Sequence, residues 1–297
     1  MRKEVDFSIV VPARNAEKTI GKCIESVLRQ NYPKGRFEVI VIDNNSTDRT
    51  AKEIKQFPVK YLLHKKPGSG ASRNLGIKNS KGEIIAFIDS GGIADKNWLL
   101  EAKKFFERNK EVNIAGGKME PCENTLFEKT VCSLRRNQQF YVKSGFASTA
   151  NMFIKRSKFN QLGGFDERVV LGSVDCEFGE KATARGEKIA YLENTVVRYK
   201  SRRLLGFLKR EFRRGKSHAQ LDLLRKKGVN YKFKRPHKSV GSVRSIFRSR
   251  KHRLLEKNIL IGIGGLGKIF WLIGLFWEKI LLLSLKKRRQ KLVYKPD

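Results

Sequence analysis

Phe7-Ser8-Ile9-Val10-Val11-Pro12-Ala13-Arg14-Asn15 is the stretch that decides how this chain folds. A short, nearly continuous apolar run reads as a strand buried on both faces, the pattern of a parallel sheet. It gives way abruptly to proline and polar residues. Two later segments repeat the plan. Phe37-Glu38-Val39-Ile40-Val41-Ile42 runs into Asp43-Asn44-Asn45-Ser46-Thr47-Asp48, and Glu83-Ile84-Ile85-Ala86-Phe87-Ile88 runs into Asp89-Ser90-Gly91-Gly92. Between the first two, Ile20, Cys23, Ile24, Val27 and Leu28 recur at helical spacing. Ser46 or Thr47 is placed to cap the next helix, with Asp48 in its first turn. Pro67-Gly68-Ser69-Gly70 reads as a loop before a short helix from about Ala71 to Lys78. This βαβαβ order predicts an α/β fold with a twisted, mostly parallel central sheet. Such sheets bind ligands beyond the carboxyl ends of their strands. All three strands deliver hydrogen-bonding residues there, as a nucleotide site requires.

Working outward, Val112–Gly117 and Ala150–Ile154 read as further strands, Leu162–Glu167 as a turn, Asp175–Arg185 as a helix and Lys188–Leu192 as a strand. The character changes after Arg202. Leu204, Leu205, Leu208 and Phe212 form an apolar stripe among arginines and lysines, the pattern of a basic amphipathic helix at a membrane surface. Lys232–Arg253 is basic and weakly periodic. Ile259–Trp277 is apolar except for Lys268, and a second apolar run, Ile280–Leu285, leads into Lys286-Lys287-Arg288-Arg289. Basic residues on both sides favour monotopic association over a single span. The expected organisation is 1–115 and 116–200 as two halves of one domain, 201–253 as a basic juxtamembrane segment, and 254–297 as apolar membrane-associated helices with a basic tail.

The formal net charge is +35 over 297 residues. Residues 201–297 hold 28 Lys+Arg against 5 Asp+Glu, so a third of the chain carries +23 of that excess. Charge so placed points to a polyanionic partner. An anionic membrane accounts for the basic and the apolar character together; no recognised nucleic-acid motif accompanies the charge, so nucleic acid is not expected. The four cysteines form no C-x-x-C pair, which argues against structural zinc. Met1-Arg2-Lys3-Glu4 leads straight into a strand, and the expected setting is reducing and cytosolic.

The motifs together resemble the GT-A-fold glycosyltransferases of family 2, over roughly Phe7–Gly215. Pro12-Ala13-Arg14-Asn15-Ala16-Glu17 looks like the family's first-strand motif, and Asp43–Asp48, with Asn45, like its second nucleotide-contacting motif. Gly70-Ala71-Ser72-Arg73-Asn74-Leu75-Gly76 is similar to its G-x-x-x-A-R-N-x-G segment, with one residue fewer. Asp89-Ser90-Gly91-Gly92 stands at its D-x-D, and Val174-Asp175-Cys176-Glu177-Phe178 resembles its E-D-x-[DE]-[LF] motif. The resemblance implies a Rossmann-like sheet and inverting transfer of a sugar from a UDP- or GDP-linked donor to an acceptor hydroxyl. It implies base contact at Asp43, diphosphate contact near Arg73, ribose and metal at Asp89, and a general base at Asp175. The acceptor it leads us to expect is a lipid-linked glycan or polysaccharide precursor at the cytosolic membrane face.

That chemistry needs these residue types. Direct displacement uses a carboxylate to take the acceptor hydroxyl's proton. The departing diphosphate gains charge that a cation or preorganised donors must stabilise. The sequence departs from the family at two places: Gly91 replaces the second acid of D-x-D, and Val174 replaces the first acid of the later motif. Two ways to supply the cation stay open. Mn²⁺ or Mg²⁺ is held through Asp89, helped by Asp95 or His218; or Arg210, Arg213, Arg214 or Lys216 neutralises the diphosphate. Glu177 and His218 join these as diphosphate or acceptor candidates. A degenerate, non-catalytic membrane-tethered domain and a sugar nucleotidyltransferase are the alternative readings.

Overall fold

The computed structural model describes residues 4–66, 68–123, 125–135, 137–169, 173–200, 204–226, 262, 265–273 and 276–277. These fall into two compact units, 4–169 with 174–200, and 173 with 204–226 and the described residues from 262 onward.

The first unit is built on one eight-stranded sheet. β1 (Phe7–Ala13) pairs in parallel with β2 (Phe37–Asp43), which pairs in parallel with β3 (Lys60–Leu63). On its other side β1 pairs in parallel with β4 (Ile84–Ile88). The register levels the strand ends: Ala13 stands beside Asp43, and Asp43 beside Leu63. β3 is absent from the pattern expected of the sequence. It has four residues, only partly buried, so it lacks the apolar run that marks its neighbours.

Side chains alternate across the sheet. Phe7, Ile9, Val11, Val39 and Val41 join the main core with Ile20, Cys23, Ile24 and Val27 of α1 (Ile20–Leu28). Val10 and Ile42 point the other way, onto α3 (Ser69–Lys78), which follows the short α2 (Thr50–Ile54). A Cβ on Gly76 would stand 2.7 Å from both Ile42 Cδ1 and Val10 Cγ1, so glycine lets α3 lie close on the sheet. The expected cap of α2 differs in detail. Neither Ser46 nor Thr47 caps it; Asp48 Oδ1 accepts from Thr50 N at 3.0 Å, while Ser46 and Thr47 bond to Asn15 across the cleft.

Past β4 the sheet is mixed: the next strand runs antiparallel to β4, the two after it return to the sense of β4, and the edge strand is again antiparallel. β5 (Gly92–Ala94) and α4 (Trp98–Arg108) lead to β6 (Ile114–Pro121); α5 (Leu126–Arg135) and α6 (Gln138–Lys143) lead to β7 (Asn151–Lys155). α7 (Arg156–Gln161) and α8 (Val174–Ala184) precede β8 (Ile189–Tyr199). The order is β3-β2-β1-β4-β7-β6-β8-β5, so one sheet runs through both expected halves. Trp98 is fully buried and donates from Nε1 to Asn151 Oδ1 at 2.9 Å; Asn151 Nδ2 donates to Lys118 O and Thr195 O. One buried amide thus ties α4, β6 and β8 together with its hydrogen-bonding capacity used.

The second unit contains α9 (Leu204–Lys226) and helical residues at 265–273. The apolar stripe expected on α9 is turned. Leu205 is 73 % exposed and Leu204 41 %, whereas Phe207 and Leu208 are buried. A Cβ on Gly267 would lie 2.9 Å from the Phe207 ring, so that ring packs against the small residue. Leu266, Ile269, Ile273, Phe276 and Trp277 are exposed. Among the described residues no helix is long and apolar enough to cross a membrane. The basic run 232–253, the start of the apolar stretch at 259–261 and everything after 277 lie outside the described residues.

Candidate active site

The loops after β1 and β2 are knitted into one surface. Both place an asparagine in the left-handed region, Asn15 at φ 49° and Asn45 at φ 55°. Asparagine tolerates that conformation better than other residues with a Cβ. Asn15 N donates to Ser46 Oγ at 3.0 Å, and Asn15 Oδ1 accepts from Thr47 N at 2.9 Å. Glu17 N donates to Asp48 Oδ2 at 3.2 Å, and Glu17 Oε2 accepts from Arg49 N at 3.1 Å. Asn15 and Glu17 therefore act here as clasps between loops. Pro12 and Ala13 form the floor at the end of β1, and Arg14 is exposed beside them.

Asp43 is 2 % exposed at the end of β2. Its Oδ1 accepts from Ser46 N at 2.9 Å and its Oδ2 from the Tyr61 hydroxyl at 3.1 Å. Burial, then the Asp43 charge and hydrogen bond, raise the Tyr61 phenol above its usual range, so it stays a donor to the carboxylate. Tyr61 lies on the strand missed in the sequence, and no local pattern marks it. Beside it, Asn44 N donates to Ala13 O at 2.8 Å, and Asn44 Nδ2 reaches Gly68 O at 3.4 Å, drawing in the loop before α3. Asn44 Oδ1 is buried with no hydrogen-bond partner, an acceptor left open at the junction of three loops.

Arg73 and Asp89 come together as the sequence expects of a shared site. Arg73 Nη2 donates to Asp89 Oδ1 at 2.8 Å, and Nη1 to Ser69 O at 3.2 Å. The Arg73 side chain is 5 % exposed and the Asp89 side chain 46 %. Tyr199 and Cys23 hold the Asp89 backbone. Its N donates to Tyr199 Oη at 3.3 Å, Tyr199 Oη donates to Ala150 O at 2.6 Å, and Cys23 Sγ reaches Asp89 O at 3.6 Å. Ser90 is half-buried on the following turn.

Asp175 is half-buried in the first turn of α8, and its Oδ1 accepts from Cys176 N at 3.0 Å. Packing sets that turn against α3: a Cβ on Gly70 would stand 3.1 Å from Val174 Cγ1 and 3.3 Å from Phe165 Cβ. Val174 is 3 % exposed, which gives a physical reason for its departure from the family's acid, since a carboxylate there would be desolvated. Asn74, next to Arg73, holds the loop before α8. Its Nδ2 donates to Phe165 O at 2.9 Å, and its Oδ1 accepts from Phe165 N at 3.0 Å. The sequence motif contained Asn74, yet nothing local shows that its partner lies ninety-one residues away.

The remaining candidates divide between the two units. Glu177 is 1 % exposed; its Oε2 accepts from Asp166 N at 3.4 Å and its Oε1 lies 3.6 Å from Lys181 Nζ. This carboxylate is enclosed, with partners inside the unit. Asp95 pairs with Arg198 at 3.3 Å and also accepts from Asn97 N. Arg210, Arg213, Arg214 and His218 all lie on α9 in the second unit. There, Arg214 lies 3.7 Å from Glu211, and His218 Nδ1 lies 2.9 Å from Arg214 O, with its ring edge-on to Trp271 at 5.7 Å.

The description of glycosyl transferase family 2 matches residues 8–163, more than half of the chain, and every element of this surface up to Asp89 falls within it. The chain belongs to that family. The glycosyltransferase is 28 % identical over 228 residues to "Glycosyltransferase AglE" of Haloferax volcanii, covering 73 % of this chain and 74 % of that one. It is also 28 % identical over 220 residues, 66 % of this chain and 67 % of the relative, to a Methanococcus voltae enzyme named as a dolichyl N-acetyl-alpha-D-glucosaminyl phosphate 3-beta-D-2,3-diacetamido-2,3-dideoxy-beta-D-glucuronosyltransferase. Its likeness to "Poly(ribitol-phosphate) beta-N-acetylglucosaminyltransferase TarS" of Staphylococcus aureus is 34 % over 109 residues, 35 % of this chain but only 19 % of that relative. Among solved structures, the mannosyltransferase PcManGT from Pyrobaculum calidifontis, in complex with GDP-Man and Mn²⁺, matches with a TM-score of 0.63 at 16 % identity, over 92 % of this chain and 86 % of that one. Residues 1–349 of S. aureus TarS with UDP-GlcNAc match with a TM-score of 0.55 at 17 % identity, over 94 % and 92 %. The fold is therefore GT-A.

Proposed function

We propose that this glycosyltransferase moves a sugar from a UDP- or GDP-linked donor to the hydroxyl of a lipid-linked glycan or polysaccharide precursor. The observation that carries this reading is the joining of four loops at the strand ends: Asn15 to Ser46 and Thr47, Asn44 to Gly68, and Arg73 to Asp89. In this reading Asp43, oriented by Ser46 N and Tyr61, meets the base. Asp89 meets the ribose, and Arg73 sets the charge beside the diphosphate. Asp175, in the turn packed on α3, takes the acceptor hydroxyl's proton as that oxygen bonds to the anomeric carbon; the bond to the nucleoside diphosphate breaks on the opposite face, so the anomeric centre inverts. Relatives whose names include a dolichyl phosphate glycan or poly(ribitol-phosphate) support a lipid-linked or polymeric acceptor.

The second unit supports a membrane site for the reaction. Leu266, Ile269, Ile273, Phe276 and Trp277 offer exposed apolar side chains, and residues 201–297 carry a net +23. An interfacial helix needs this combination to lie on the anionic cytosolic leaflet.

The test is transfer of radiolabelled sugar from UDP-GlcNAc and GDP-mannose to polyprenyl-phosphate-linked acceptors, with the product's anomeric configuration read by NMR. Asp175→Asn is expected to lower turnover by about 100-fold or more while leaving donor affinity unchanged. Turnover within twofold of wild type would remove Asp175 from the base's role and favour a binding module.

A further inference from the structure

The D-x-D position invites a question that the family's pattern does not answer: what this site does with one acid fewer. Gly91 follows Ser90 where the second carboxylate would stand. It is not among the left-handed glycines, and a Cβ built on it meets nothing within 4 Å. Neither backbone nor packing requires glycine there. The next residue is different, because a Cβ on Gly92 would stand 2.7 Å from Tyr199 Oη and 2.8 Å from Ile88 Cγ1. Position 91 thus has room for a carboxylate and lacks one.

A hard divalent cation takes about six oxygen ligands. Among the described residues of the first unit, the acid at this strand end is Asp89, with Oδ1 already accepting from Arg73 at 2.8 Å, while Asp95 pairs with Arg198. Among the described residues no three His, Cys, Asp or Glu groups gather to hold an ion. The donor set does not fit a protein-held Mn²⁺ or Mg²⁺. Charge explains how the site manages. With two acids and one arginine the strand end would be net negative and repel a diphosphate until a cation intervened. With Asp89 paired to Arg73 it is neutral, and the diphosphate meets no net repulsion there.

We propose that the glycosyltransferase binds its nucleoside diphosphate without a divalent ion, and that Gly91 is the residue that makes this so. The inference rests on the reading of these strand ends as a nucleotide site. It concerns the chain's own residues, with Asp89 and Arg73 as a neutral pair that admits the diphosphate.

The experiment is calorimetric titration of the full chain in detergent with UDP and with GDP, in EDTA and then in Mn²⁺, beside the Gly91→Asp variant. Wild type is expected to bind one nucleotide with Kd values that agree within about threefold in the two conditions. Gly91→Asp is expected to lose at least about tenfold in EDTA and to recover in Mn²⁺, because the added carboxylate restores the need for a cation. Mn²⁺ titration followed by EPR supplies a readout without nucleotide: the variant gains a bound ion that wild type lacks. Wild-type binding only in Mn²⁺ would overturn the proposal and leave the nucleotide site standing. Binding of neither nucleotide in either condition would overturn the nucleotide-site reading, and the proposal with it. A Gly91→Asp chain that loses its native circular dichroism would contradict the open space at that position.

Discussion

Asp43 shows how one residue depends on a neighbour that its own sequence context does not reveal. Its Oδ1 is fixed locally by Ser46 N, three residues on, but its Oδ2 is fixed by Tyr61 from the adjacent strand. Tyr61→Phe keeps the ring and removes one hydrogen bond to a charged acceptor, worth about 1.5–3 kcal/mol when fully formed. The contact at 3.1 Å is partly exposed, so a loss of about fivefold in donor affinity is expected, with kcat nearly unchanged. The check is KM and kcat with each nucleotide sugar. A fall in kcat alone would mean that Tyr61 acts on chemistry and not on base binding. Asp43, Arg73 and Asp89 could be singled out in the sequence because each ends a strand or sits in a helical motif. Tyr61 could not, and neither could the burial of Glu177, because exposure is not written in local spacing: Glu177 faces Lys181 inside the unit.

Among the elements, α3 carries the most consequence. One face holds Arg73 to Asp89, its next residue Asn74 pins the loop ahead of α8, and Gly76 lets the helix approach β1 and β2. Gly76→Ala would press a methyl to within 2.7 Å of Ile42 and Val10, both fully buried. Overpacking of that kind costs about 1–3 kcal/mol. Chemical denaturation is expected to show that loss, together with weaker donor binding as Arg73 moves with the helix. Gly76→Ala of wild-type stability would mean that α3 has slack against the sheet. The regular strands and α1 were legible because each fills a window with one period. β3 was not, since four half-exposed residues carry too little pattern.

The whole molecule separates what holds it together from what it acts with. Asp6 sits just before β1, at the opposite end of that strand from the site. It accepts from Tyr32 at 2.6 Å, from Arg36 at 2.6 and 2.8 Å, and from Lys103 at 3.1 Å. Burial alone would raise its pKa, but the Arg36, Tyr32 and Lys103 hydrogen bonds outweigh that and lower it to about 2. A folded pKa below the unfolded value of 3.8 contributes stability that is present above pH 3.8 and lost as pH falls toward 2. Asp6→Asn is therefore expected to lower stability at pH 7 and to flatten its decline between about pH 4 and pH 2, followed by urea denaturation across that range. Equal slopes in variant and wild type would remove Asp6 from the acid response. At the membrane, binding to vesicles rich in phosphatidylglycerol is expected to exceed binding to neutral vesicles and to weaken with salt. Serine at Leu266, Ile269 and Ile273 together is expected to lower it at least about tenfold, since each buried apolar side chain is worth roughly 1.5–3 kcal/mol. Unchanged binding by that variant would leave charge as the sole attraction.

By itself the sequence determined the alternation of strand and helix, the polar residues at the strand ends and the concentration of positive charge after residue 200, because periodicity, turn chemistry and charge are local or additive properties. Only the tertiary structure decided that Asn74 holds the loop before α8, that Val174 is packed against Gly70, that Glu177 is enclosed and that position 91 has room to spare. Those facts depend on which distant side chains share a volume. A single sequence records the members of such a contact but not their meeting.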